Sequence, residues 1–231
     1  MRIALLMLAL LGACTPATIS TRGQAPILLI GDSIFAWNGI VGRDVGDHLS
    51  RALGVPVENR SVLLARVERP RGRGAWGPDV GTQLDGAGPR AWIVVGGGGN
   101  DVGRVCGCLD CEDELEALIS PDGRTGSIPA LVARARGTGS KVIYVSYYGP
   151  SGRGGAYDVC LDELTALAER AELMAARDPN VIHWRPSTVV GSADPSDYWL
   201  DDIHPSPSGS RKIGQGLAAL IAAEEARRAA E

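Results

Sequence analysis

Three short polar clusters carry the side-chain types that act together in acyl transfer. Asp201-Asp202-Ile203-His204 sets a carboxylate three residues before an imidazole. On one turn that carboxylate accepts the Nδ1 proton and leaves Nε2 free to act as a base. Gly31-Asp32-Ser33 follows an apolar run. Gly31 permits a tight turn there, and Ser33 then opens the next element, where backbone N–H groups favour negative charge. In Gly98-Gly99-Asn100-Asp101 the Asn100 amide is a donor for a developing oxyanion, and the glycines let the backbone approach a substrate. Each cluster alone has a plain structural reading: a turn or helix cap for Ser33, a glycine-rich loop for Asn100, a solvated loop for His204. A phosphate cradle at 98–101 is disfavoured, because no Gly-Lys-Ser/Thr follows. Together the clusters supply a nucleophile, an oxyanion donor, an acid and a base in order along the chain.

The elements that must position them alternate between strand-like and helix-like patterns. The apolar run at 25–30 reads as a strand buried on both faces, and 55–59, 91–95, 141–146 and 180–184 read as further strands. Helical spacing is seen at 41–53 (Val41, Val45, Leu49, Leu53), 112–119, 128–136, 159–176 (Leu161, Leu164, Ala168, Ala171) and 207–229 (Ile213, Leu217, Leu220, Ile221). Such alternation predicts an α/β fold with a parallel sheet between helices, and ligands beyond the carboxyl ends of its strands. The three polar clusters follow the first, third and fifth strands. Residues 66–90, rich in Arg, Gly and Pro, read as a long surface loop. Its Arg66, Arg69, Arg71, Arg73 and Trp76 suit a solvated loop better than a contact with an anionic headgroup or sugar polymer. Trp37 and Asn38 read as pocket wall or packing, Tyr147-Tyr148 as a further wall, and His48 and His183 as structural histidines.

The chain has 231 residues, 45% of them hydrophobic, and a net charge of −4 with both signs interspersed. This fits one globular domain and argues against a nucleic-acid partner. Residues 1–14 read as a secretory region: a positive start, an apolar run from Ile3 to Leu11 too short to span a bilayer, then small residues. Leu11-Gly12-Ala13-Cys14 is similar to a bacterial lipobox, which implies lipid anchoring at Cys14; ordinary signal cleavage is the alternative. Residues 15–24 would form a tether and 25–231 the domain. An exported, periplasmic or membrane-anchored protein meets an oxidising compartment. Cys106, Cys108, Cys111 and Cys160 therefore read as two disulfides in preference to a zinc site, with three connectivities open.

The combined clusters resemble those of the SGNH/GDSL hydrolases, over nearly all of the mature length. Gly31-Asp32-Ser33-Ile34 is similar to that family's first block, with Ile34 for the common Leu; Gly98-x-Asn100-Asp101 to its third; Asp201-x-x-His204 to its last. The resemblance implies a three-layer, flavodoxin-like fold with a five-stranded parallel sheet. It also implies cofactor-free hydrolysis of carboxylic esters through an acyl-enzyme, with Ser33, His204 and Asp201 catalytic and Ser33, Leu64 and Asn100 as the oxyanion hole. Asp32 and Asp101 would brace loops. The second block departs: where the family places Gly, this chain has Leu64, or Ala65 if the alignment shifts by one. A backbone donor survives that change, but a Leu side chain is expected to crowd the site or require another backbone conformation. The rival reading is a weak or inactive binding protein of the cell envelope on the same fold. Acylated carbohydrates, lipids and small esters all remain open as substrates.

Overall fold

The computed structural model describes residues 24–68 and 77–231. The signal region, Cys14, most of the tether, and Arg69, Arg71, Arg73 and Trp76 lie outside the described residues. Five strands form one parallel sheet in the order β2-β1-β3-β4-β5. They are β1 (Ile27–Ile30), β2 (Val57–Asn59), β3 (Trp92–Gly96), β4 (Lys141–Val145) and β5 (Val181–Trp184). Central β1 pairs with β3 in the register Ile27 to Trp92 through Ile30 to Val95, and β3 continues it onto β4. The helices are α1 (Ser33–Ala36), α2 (Val45–Leu53), α3 (Gly99–Asp101), α4 (Glu112–Leu118), α5 (Ser127–Gly137), α6 (Leu161–Ala175) and α7 (Pro207–Ala229).

The inner strands β1, β3 and β4 read as continuous apolar runs because both faces are covered. Leu28, Ile30, Ile93, Val95, Val142 and Tyr144 pack with α4, α5 and α6 on one side. Ile27, Leu29, Trp92, Val94, Ile143 and Val145 pack with α1, α2 and α7 on the other. This is the period-two alternation of a strand feeding two cores. Three sequence expectations need correction. Val41 lies outside α2, in a 3-10 turn (Gly39–Val41), and is exposed. That turn ends at Gly42, and α2 starts afresh at the Asp44–Asp47 capping box. Leu161, at the first position of α6, is 46% exposed, since the inward face of the helix begins deeper, at Leu167, Ala168 and Ala171. The stretch 66–90 is not simply a surface loop: Val67, Val80 and Leu84 are buried in the first core, and a 3-10 turn (Gly81–Leu84) carries Gln83 inward.

The four cysteines form Cys106–Cys111 and Cys108–Cys160. Both sulfur pairs are consumed in bridges, which displaces the zinc reading. The second bridge ties the segment after α3 to the residue preceding α6, across a sequence separation of 52. Chain-entropy reasoning assigns such a closure roughly 4 kcal/mol, against roughly 2 kcal/mol for the short Cys106–Cys111 loop. A Cys108→Ser/Cys160→Ser protein is therefore expected to lose about twice the unfolding free energy of Cys106→Ser/Cys111→Ser. Urea denaturation of both double variants measures it, and equal losses would contradict the loop-length argument.

Candidate active site

The three sequence clusters meet at the carboxyl edge of the sheet. The turn off β1 is tight: a Cβ on Gly31 would lie 2.9 Å from Phe35 Cδ2 and 3.1 Å from Gly96 O, so only glycine fits. Asp32 then caps α1, its Oδ1 accepting from Ile34 N–H at 2.9 Å. This places Ser33 as the first helical residue, its N–H pointing out of the helix start. From the far end of the chain, Asp201 Oδ1 accepts from the N–H groups of Ile203 and His204, each at 3.0 Å, curling the loop before α7. Asp201 Oδ2 lies 2.6 Å from His204 Nδ1, and His204 Nε2 lies 2.9 Å from Ser33 Oγ. With Nδ1 protonated, Nε2 faces the hydroxyl as an acceptor. Burial opposes ionisation of Asp201. The His204 ring and the two backbone N–H donors outweigh it and hold the carboxyl below its usual range.

Leu64 occupies a left-handed conformation, φ 64°. This is the backbone that a glycine favours, retained by a leucine at a cost of roughly 1–2 kcal/mol. Of the two outcomes expected for Leu64, the structure shows the altered backbone, and the residue, 52% exposed, lines the cavity. Ala65 is the poorer candidate donor, because its N–H is already given to Val62 O at 3.2 Å and the residue is fully buried. The N–H groups of Ser33 and Leu64 donate to no protein group among the described residues. Asn100 is buried, with Nδ2 donating to Ala65 O at 3.0 Å, which links α3 to the Leu64 loop and leaves the second amide hydrogen unspent. These groups open on a cavity of about 360 Å³, walled largely by apolar surface from Ile34, Leu64, Tyr157, Leu164 and Ile203.

The bracing of the site is wider than the motifs reveal. Asp101 is wholly buried and accepts from Val67 N–H at 3.0 Å and Glu68 N–H at 2.8 Å, holding the chain beyond Leu64. Tyr147 donates its hydroxyl to the Asp32 carboxylate and accepts from Gly99 N–H at 2.8 Å, so one phenol joins the Ser33 and Asn100 loops. Gln83 was missed by sequence reasoning: it accepts from Gly31 N–H at 2.7 Å and donates to Gly31 O at 2.8 Å. Nothing in a lone Gln inside an Arg/Gly/Pro-rich stretch signals that role. Trp37 does not wall the cavity; it lies against the His204 ring. His183 is structural as expected: its Nε2 meets Ser146 Oγ at 3.1 Å, and burial pushes its pKa down to about 4.

Comparison with known proteins fits this geometry. Residues 29–212, well over half of the chain, match the GDSL-like lipase/acylhydrolase family. The chain belongs to that family. It is by class a carboxylic ester hydrolase. A search of curated proteins returns no match. Among solved structures, Est24, a carbohydrate acetylesterase from Sinorhizobium meliloti, is similar at 13% identity and a TM-score of 0.63, over 85% of this chain and 98% of its own. The native aryl esterase of M. smegmatis is similar at 16% identity and a TM-score of 0.62, over 85% of this chain and 98% of its own. At such identities the likeness is one of fold. It agrees with the five-stranded sheet expected of the SGNH type.

Asp101 yields a stability test. Burial raises its pKa from 3.8 to about 7, with the Val67 and Glu68 N–H groups offsetting only part of the effect. The folded protein therefore binds this proton more tightly than the unfolded chain. The resulting stabilisation is complete below the unfolded pKa and is lost as pH rises through the folded value. Asp101→Asn lacks that loss, so it should gain on the wild type as pH is raised from about 5 to about 8. Urea midpoints of both proteins across that range provide the check; parallel curves would remove Asp101 as the titrating group.

Proposed function

We propose that this protein hydrolyses carboxylic esters through a covalent acyl-enzyme on Ser33, with His204 as general base and Asp201 orienting it. The observation that carries the reading is the continuous hydrogen-bonded chain Asp201–His204–Ser33 at the wall of an apolar cavity. His204 Nε2 takes the Ser33 proton as Oγ attacks the ester carbonyl carbon. The oxyanion that forms is met by the N–H groups of Ser33 and Leu64 and by the Asn100 amide. The protonated His204 then donates to the leaving alcohol oxygen, the C–O bond breaks, and the acyl group stays on Ser33. Water, deprotonated by His204, attacks the acyl carbon and releases the acid and the free hydroxyl.

The substrate is an acyl ester of a carbohydrate, a lipid or a small alcohol. Similarity in fold to a carbohydrate acetylesterase and an aryl esterase favours small or aromatic esters as first probes. Two disulfides, and the absence among the described helices of any long and apolar enough to cross a membrane, suit an exported protein. Export through residues 1–14 and lipid anchoring at Cys14 are part of the same proposal.

Hydrolysis of p-nitrophenyl acetate, butyrate and octanoate by the mature protein and three variants tests it. Ser33→Ala and His204→Ala should each lower kcat by at least about 10,000-fold. Asp201→Asn should lose less, about 100- to 1,000-fold, because its side chain is 34% exposed and its charge partly screened. A Ser33→Ala protein that kept its esterase activity would refute the mechanism.

A further inference from the structure

Trp37 is the C-cap of α1, and its N–H donates to Ser33 O at 2.8 Å, so the indole is tied to the turn that presents the nucleophile. Its ring lies on the face of the His204 imidazole, with centroids 3.8 Å apart and planes 7° from parallel. Asn38, the next residue, sits in the left-handed region at φ 69°. It donates from Nδ2 to Pro205 O at 3.0 Å and to Ser210 Oγ at 2.9 Å. Two consecutive residues thus hold two consecutive residues of the opposite loop, one by its ring and one by its amide. Trp37 belongs to neither hydrophobic core and does not line the cavity. Its one aromatic partner among the described residues is His204.

We propose that Trp37 is a positioning residue for His204, fixing the plane of the imidazole and stabilising its protonated form during acyl transfer. The inference rests on the reading of Ser33 and His204 given above. The two hydrogen bonds of His204, to Asp201 and to Ser33, both leave the ring at its edge. They define an axis about which the ring can still tilt. Tilting swings the Nε2 lone pair away from Oγ and weakens proton transfer, which needs near-linear geometry. A flat indole in face-to-face contact resists that tilt, as no further edge-on hydrogen bond would. Asp201 is a third exposed, so solvent weakens its hold on the ring and leaves more of the orientation to packing. When His204 carries the proton, the indole π-face is also the best aromatic partner for the cation, and it covers that face from water.

The test compares Trp37→Phe and Trp37→Leu in the mature protein with p-nitrophenyl butyrate, with active sites titrated by a fluorophosphonate. Leucine keeps an apolar cover but not a flat one; phenylalanine keeps the flat ring. Trp37→Leu should lower kcat per titrated site about 10- to 100-fold while KM stays within about threefold. Trp37→Phe should return kcat to within about threefold of wild type. A purely structural role would lower the unfolding midpoint or the titrated fraction and leave kcat per site unchanged. Should the leucine variant fail to fold, Trp37→Met takes its place. The proposal is overturned if kcat per site in the non-aromatic variant is within about twofold of wild type, or if phenylalanine restores nothing. Ser33→Ala, run alongside, separates the two levels. Activity retained there removes the underlying mechanism. Activity lost there, with an unimpaired Trp37→Leu, removes only the role of Trp37.

Discussion

The contact between Ser33 and His204 joins residues 171 positions apart, and it depends on how closely the last helix approaches the first long one. A Cβ on Gly214 of α7 would lie 2.7 Å from His48 Cβ and 2.8 Å from Val45 O, so α7 rests directly on the backbone of α2. That close approach, with Ile213, Leu217 and Ile221 sharing a core with Val45, Leu49 and β1, fixes α7 against the strand that leads to Ser33. The loop carrying Asp201 and His204 enters α7 through the Ser206 cap, whose Oγ accepts from Ser208 and Gly209 N–H. Helix packing thus determines where the imidazole arrives, and local contacts determine how it is turned.

Around that contact the protein buries polar groups, and each is bound at both ends. Asp101, Gln83 and the Tyr147–Asp32 pair lie where an unpaired group would cost several times what a satisfied one contributes. Satisfied, they specify one arrangement of the three strand-end loops. Gln83 completes the backbone hydrogen bonding of Gly31, which the tight turn removes from the sheet, and Asp101 does the same for residues 67 and 68. The disulfide from Cys108 to Cys160 adds a covalent link on the side of the cavity where α6 begins. These hydrogen bonds and the bridge tie the cavity edge to the sheet and to α6.

Leu64 holds a left-handed turn, and glycine is the residue that adopts such a turn without strain. Here the turn persists under leucine. The side chain forms part of the cavity wall.

The sequence by itself determined the order of elements, the parallel sheet and the placement of Ser33, Asn100, Asp201 and His204 at strand ends. These follow from short-range facts: apolar periodicity, turn-forming glycine, and an Asp–His pair on one turn. It left open which cysteines pair and which backbone conformation Leu64 takes. It placed Val41 within the helix at 41–53, set Leu161 on one helical face with Leu164, Ala168 and Ala171, and read residues 66–90 as a surface loop, because helical spacing and composition do not reveal where a helix or a core begins. Only the tertiary structure decided those points, the amide clamp of Gln83, the phenol bridge of Tyr147, and the stacking of Trp37 on His204. Each is a contact between residues distant in the chain, made specific by packing that no local pattern encodes.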